Sequence, residues 1–546
     1  MRSPCDISLA ALVAASAFLG LTWAALAATP AQADFIDHFA RTDDIGPAKV
    51  PSLGRSRIVV LTMEVEGFEP LDMEAVRAFF ANDPEATGVN FSNYYRRMSL
   101  GAYTPEVDVI DPIRFEGCPL PEDYFGFRNC RIPRNGIPDD GGTPNDALDS
   151  LEVGLALLEE IVRRADEEQG VDFSRYDLNG LDGDPDGWID GVLLLHNINF
   201  GGIALPVFFL RREGPIEVDG IKINIVGIAE SPLVALHEFG HLLGWADLYD
   251  ESGQTQGYQY SAMGEWLYET DPPAMDAFSR AAAGWIEPRI VRTGETIEGL
   301  RLPPAGDSGE AVQLGEGEEY FLLENRGVVS GDYVDGDLEG RGLSIVHVNL
   351  REYPDGRDGT WPLRLLNCVN CTPWAPMLMN EQADGRFSLQ SRNGRRNDRE
   401  DLFLPGDEFL PNTINFLPLT PDNKAFSSNR YDGSVTGVSV TKVRLDGEDI
   451  LVDVKIEEPC SIIACNRGKI CAEDRCVADP DAAPEPEPEP EPVVEPEPVP
   501  APAAPKEGCA VPVGGQGGAG GLLVLLVVGL VQRSWSWGRR PRGERR

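Results

Sequence analysis

The residues best suited to chemistry lie in one run, His237-Glu238-Phe239-Gly240-His241-Leu242-Leu243-Gly244-Trp245-Ala246-Asp247. On a helix, His237 and His241 leave the same face four residues apart, so both imidazoles can bind one tetrahedral metal ion. Glu238 stands beside them without being a ligand, placed to take a proton from a water whose pKa the metal has lowered. Gly244 can adopt the left-handed conformation that ends a helix, and the turn it permits brings Asp247 back towards the metal. With five histidines in 546 residues, composition alone gives little chance of a His-Glu-x-x-His array. The chemistry implied is zinc-assisted hydrolysis of peptide bonds, with Glu238 as general base.

A second set of residues suits a harder cation. Asp182, Asp184, Asp186 and Asp190 occupy positions one, three, five and nine of an acidic loop, with Gly187 at six. Alternate carboxylates on a tight turn converge on one calcium ion, and the glycine makes the turn feasible. Position twelve is Leu193 in place of a bidentate glutamate, so a plain acidic turn is the competing reading. Structural Ca²⁺ is the expectation here, beside catalytic Zn²⁺ at the histidines.

Hydrophobic periodicity sets out the elements that must hold these groups. Pro232 to Leu243 reads as the helix bearing the histidines, with Leu233, Leu236 and Leu243 for packing. Pro232 starts it, where a missing N–H costs little. Before it, Gly220 to Ala229 alternates enough to be an edge strand, able to hold an extended substrate by main-chain pairing. Arg57 to Met63, Tyr103 to Ile110 and Ile189 to His196 read as strands. Leu71 to Asn82, Phe91 to Leu100 and the long amphipathic Ala147 to Glu168 read as helices. From about Ile290 the pattern shifts to short strands and turns, including Tyr320 to Asn325, Gly342 to Val348 and Ile450 to Ile456. An α+β domain over 57–289 and an all-β domain over 290–457 are expected.

The ends of the chain point to export. Arg2, an apolar stretch from Leu9 to Leu26 and small-residue cleavage signals mark 1–33 as a secretory signal peptide, with 34–56 a candidate propeptide or linker. Of ten cysteines, Cys5 falls in the signal and Cys509 in the tail, and the remaining eight suggest four disulfides in an exported chain. Cys118 and Cys130 bracket a loop, Cys368 and Cys371 form a tight pair, and Cys460, Cys465, Cys471 and Cys476 cluster in a small module over 458–477. Connectivity within that cluster is open, as are zinc-ribbon or thioredoxin-type readings of the last two groups. Residues 478–507 alternate Pro and Glu and read as a disordered stalk. Residues 508–546 combine Cys509, a Gly-rich apolar run, Trp535, Trp537 and an Arg-rich end, the order of a membrane segment. The net charge of −42 argues against nucleic acid as a partner and suits solubility and divalent-ion binding.

With these residues in view, the chain resembles the immune inhibitor A-like family of secreted bacterial zinc metallopeptidases, a metzincin-like group. The central match is HEFGHLLGWADLYD; NYYRRMSLGAYTPEVDV from Asn93, YSAMGEW from Tyr260, EYFLLENR from Glu319, GLSIVHVN from Gly342 and QADG from Gln382 follow in family order. The resemblance implies a zincin-like catalytic domain, zinc ligands at His237, His241 and Asp247, Glu238 as general base, Met263 as the methionine flooring the metal site, and bound calcium. Glu265 stands where some metzincins place a tyrosine two residues after that methionine, which leaves Tyr258, Tyr260 and Tyr268 as nearby oxyanion candidates. The tail is similar to the Cys-containing, Arg-terminated sorting tags called MYXO-CTERM, which implies sorting or processing machinery acting near Cys509 and surface attachment. The reading that follows is an exported, surface-tethered zinc endopeptidase with protein or peptide substrates. A calcium-stabilised adhesion or scaffold protein with a non-catalytic zinc site is the alternative, and an amidase acting on cell-wall peptides would share the chemistry.

Overall fold

The structure, a computed structural model, describes residues 50–480 except 84–88, 117–146, 181–183, 199–201, 207–214, 246, 250–257, 259, 265–271, 328–340, 352–369, 371–373, 390–398, 415, 421–425 and 467–468. Its first half contains β1 (Gly54–Val65), α1 (Met73–Phe79), α2 (Phe91–Met98), β2 (Tyr103–Val109), β3 (Ile113–Phe115), α3 (Ala147–Gln169), β4 (Val192–His196), β5 (Gly202–Pro206), β6 (Ile216–Val218), β7 (Ile221–Ile223), β8 (Ile225–Ala229), α4 (Pro232–Leu242) and α5 (Ala277–Ala282). Strand β1 is buried without a break from Ile58 to Val65, the signature of a strand covered on both faces. Asp72 and Asn90 cap α1 and α2 by accepting from Ala75 N and Asn93 N, which satisfies orphan donors of the first turn.

One sheet runs β2-β1-β4-β8-β5, with β3 also on β1. Its pairs are parallel except β5, which lies antiparallel to β8. Helix α3 presses Leu158, Ile161, Val162 and Ala165 onto one face, against Val59, Leu61 and Leu194. Helices α2 and α4 cover the other, against Ile58, Val60, Leu193 and Leu195. The segment expected as one edge strand from Gly220 to Ala229 divides at Asn224 into β7 and β8, and β8 lies inside the sheet between β4 and β5. Alternation reports burial on one face and says nothing about lateral neighbours, so the edge falls to β5.

The second half contains β9 (Arg289–Val291), β10 (Thr296–Leu302), β11 (Val312–Leu314), β12 (Glu319–Arg326), β13 (Gly342–Asn349), β14 (Leu378–Asn380), β15 (Val438–Asp446) and β16 (Asp449–Ile456). They form a five-stranded sheet, β14-β13-β12-β11-β9, and a three-stranded one, β10-β16-β15. Val291, Leu314, Phe321, Leu323 and Ile345 pack against Val440, Val452 and Val454 between them. The opposite face of the five-stranded sheet sends Leu322, Val346, Val348 and Leu378 into the same core as Phe239, Met263 and Trp285. The boundary expected near residue 290 therefore separates element types but not cores.

One further boundary is corrected, and one cysteine pairing is fixed. Residues 50–56 belong to the fold: Val50 is buried, its N–H donates to Leu242 O at 2.8 Å, and Trp285 Nε1 donates to Ser52 O at 2.6 Å. Beyond β16, α6 (Pro459–Ile462) and the hairpin β17 (Lys469–Ala472) and β18 (Arg475–Ala478) carry the disulfides Cys460–Cys471 and Cys465–Cys476, which settles the pairing that the sequence leaves open. Cys118, Cys130, Cys368, Cys371 and Cys509 lie outside the described residues. Among the described residues no helix is long and apolar enough to cross a membrane; 508–546 lie outside them.

Candidate metal centre

Helix α4 starts where Ser231 accepts from Val234 N at 3.2 Å and Pro232 takes the first turn. It stops at Leu243, and Gly244, at φ 96°, makes the left-handed turn expected of it. The chain then doubles back, with Trp245 N donating to Gly240 O at 3.1 Å and Leu248 N to Met263 O at 2.9 Å. That reversal brings Asp247 onto the histidines.

Asp247 Oδ1 lies 2.8 Å from His237 Nε2 and 3.3 Å from His241 Nε2. The far nitrogens are both occupied: His237 Nδ1 meets Ala262 O and His241 Nδ1 meets Trp245 O, each at 2.7 Å. A carbonyl oxygen only accepts, so each Nδ1 carries the hydrogen and each Nε2 faces the carboxylate. Outer partners of this kind fix the rotation and tautomer of metal-ligating histidines. Ligand atoms of the three residues all lie within 4.8 Å of one another, the one such group of histidine, cysteine or acid among the described residues.

Asp247 dominates the local electrostatics. Burial lowers both imidazoles, yet the adjacent carboxylate outweighs it, raising His237 and taking His241 to about 10. Asp247 itself is pushed up by burial and held well below the carboxylate range by the two imidazoles. A divalent cation among the same atoms would replace protons as the source of positive charge, so metal binding competes with protonation. Glu238 is 4% exposed, its Oε2 finds no hydrogen-bond donor among the described residues, and burial raises it to about 7 against the pull of both histidines. Gly227 on β8 leaves it room: a Cβ there would lie 3.1 Å from Glu238 Cβ. Two inward Nε2 atoms, a carboxylate and an orphaned buried acid oxygen fit a tetrahedral zinc site with one open position.

Met263 is fully buried beneath α4, with its sulfur packed against Gly240. Gly240 was not singled out in the sequence, nor were the Ala262 and Trp245 carbonyls that orient the rings. A backbone partner leaves no mark on residue type, whereas a glycine inside a helix does. Ser261 Oγ donates to Asp276 Oδ2 at 2.6 Å and accepts from Met263 N at 3.2 Å; Asp276 before an apolar run has the pattern of an N-cap, a role it fills for Ser279 N at 2.8 Å. The oxyanion candidates separate. Tyr258 and Tyr260 are both fully buried with ring centroids 6.1 Å apart, and Tyr268 lies outside the described residues. Tyr249, not anticipated, stacks on His237 with ring centroids 6.1 Å apart.

The acidic loop is organised mainly by its own backbone. Asp190 is buried and accepts from Arg57 N at 2.6 Å, Asn179 N at 3.0 Å and Leu178 N at 3.2 Å; burial still raises it to about 7. Asp177 accepts from Asp186 N and Gly187 N, and Asp186 from Trp188 N. Asp184, Asp186 and Asp190 are not brought together as a three-carboxylate group, and Asp182 lies outside the described residues. No protein-family model matches the chain, and no curated protein matches it.

Proposed function

We propose that the chain is a zinc-dependent endopeptidase, holding its metal with His237, His241 and Asp247 and using Glu238 as general base. The observation that carries the reading is the convergence of both Nε2 atoms on Asp247 beside a buried carboxylate with an unspent oxygen. When bound, zinc supplies Lewis acidity, polarising a carbonyl and lowering the pKa of water. Glu238, raised to about 7 by burial, is matched to accept a proton from the attacking water and return it to the departing amine. Asp247 and the Ala262 and Trp245 carbonyls keep the imidazoles in one orientation. The antiparallel edge strand β5, against which α4 packs, offers main-chain groups to an extended peptide. The resemblance to immune inhibitor A-like peptidases supports the same reading. Export by the signal peptide, surface tethering through 508–546 with processing at Cys509, and structural calcium at the acidic loop belong to the proposal on sequence grounds.

Glu238→Gln should retain one equivalent of zinc and the fold while lowering cleavage of casein or a fluorogenic peptide by about a thousandfold, the scale of general-base catalysis. Wild-type activity should vanish with a zinc chelator and return with zinc. Near-native turnover by Glu238→Gln would overturn the mechanism, and a zinc-loaded wild type inert on protein and muropeptide substrates would favour the adhesion reading.

A further inference from the structure

We propose that Arg326, on the β-rich half, is a positioning residue of the metal centre, fixing the 260–263 segment on which His237 and Met263 rest. The inference rests on the zinc reading above. Arg326 ends β12 and is wholly buried. Its Nη1 donates to Tyr260 O at 2.6 Å and its Nη2 to Ala274 O at 3.0 Å. Those carbonyls lie on either side of Met263 in sequence, and one planar guanidinium ties both. Glu324, the neighbouring carboxylate, is 3.9 Å away, beyond hydrogen-bond reach.

Successive residues above that clasp each have their own restraint. Tyr260 O receives Arg326, Ser261 Oγ donates to Asp276, Ala262 O receives His237 Nδ1, and Met263 N donates back to Ser261 Oγ. The path from Arg326 to the His237 imidazole therefore runs through three consecutive residues, Tyr260, Ser261 and Ala262. Burying a guanidinium is costly unless its donors are satisfied, and apolar packing alone would hold the segment without that cost. What the cation adds is direction: donors aimed at the Tyr260 and Ala274 carbonyls fix those two peptide planes, and the first stands two residues before the Ala262 carbonyl that meets His237 Nδ1. Arg280 offers an internal comparison. It is 2% exposed and donates to Met98 O, Ala305 O and Ser308 O, outside the 260–263 segment.

The test uses the full chain, zinc affinity by chelator competition, and the visible spectrum of the cobalt-substituted protein. Arg326→Lys should weaken zinc binding about tenfold, the lower end of effects at outer-partner positions, and shift the cobalt bands. Ser261→Ala should act in the same direction. Arg280→Lys, an equally buried exchange, should lower the denaturation midpoint while leaving zinc affinity and the cobalt spectrum at wild-type values. If Arg326→Lys and Ser261→Ala bind zinc and cobalt like a metal-binding wild type, the inference falls alone; should Arg326→Lys fail to fold, Ser261→Ala decides. A wild type that binds no zinc overturns the underlying reading as well.

Discussion

Gly240 decides how closely helix α4 approaches Met263 beneath it. A Cβ at this position would enter the volume of Met263 Sδ and stand 3.1 Å from Trp245 Cε3. Gly240→Ala gains about 1 kcal/mol of helix propensity, while overpacking a filled core costs about 1–3 kcal/mol; Met263 is a flexible side chain able to shift, which puts the cost at the low end and the net destabilisation at no more than about 1 kcal/mol. Met263 must then yield, and with it the Ala262 carbonyl that holds His237. The expected outcome is weakened zinc binding and peptidase activity with a denaturation midpoint near wild type; undiminished zinc affinity would show that the close approach does not matter. Much of this centre was legible from residue type and spacing alone. His237, Glu238 and His241 follow from helical periodicity, and Asp247 from the turn at Gly244, because both are local. Met263 came through resemblance, and the Gly240 contact stayed hidden because two segments far apart in sequence create it.

Strand β13 places His347 between two carboxylates, with Nδ1 2.8 Å from Glu381 Oε1 and Nε2 3.1 Å from Glu319 Oε1. Tyr431 stacks on the ring at 4.0 Å, and Arg351 reaches Glu319 and Asp432, both at 3.4 Å. Burial lowers the imidazole, but the hydrogen bonds it donates to its two acids outweigh that and raise it to about 9. The folded value exceeds the unfolded one of about 6.5, so the stabilisation is complete below about pH 6.5 and is lost as pH rises through about 9. His347→Gln should cost about 3 kcal/mol near pH 6.5, where it removes the cation shared by the buried Glu319 and the half-buried Glu381, and the gap to wild type should narrow by about pH 10. Urea unfolding of both proteins at the two pH values checks this; a gap that does not narrow would refute the charged triad. At this scale the sequence was informative about element type and weaker on neighbours. The strands at Gly342 and Glu319 were read within one residue at either end, whereas Gly220 to Ala229 was misassigned to an edge because lateral pairing leaves no periodic trace.

The molecule is layered, with the mixed sheet, helix α4, the five-stranded sheet and the three-stranded sheet stacked in turn. Strand β13 is buried at every residue from Gly342 to Asn349, as a wall with cores on both sides requires. A chain truncated after residue 289 would lose Leu322, Val346, Val348 and Leu378 from the core shared with Phe239 and Met263. It should therefore lack a cooperative unfolding transition and bind zinc poorly; a soluble fragment that unfolds cooperatively with native zinc affinity would contradict the shared core. Run composition located the change of architecture near Ile290, but which face of each strand meets which layer is a tertiary fact. The same layering sets a path for mechanical load. Tension applied through residues beyond 480 enters at β18, whose Cys476 is bonded to Cys465, nine residues past the end of β16. Arg475 to Asp432 at 2.8 Å and Arg430 to Asp474 at 2.9 Å brace the hairpin against the neighbouring loop. Load entering at β18 therefore passes first to the loop at Arg430 and Asp432 that leads into β15 of the three-stranded sheet.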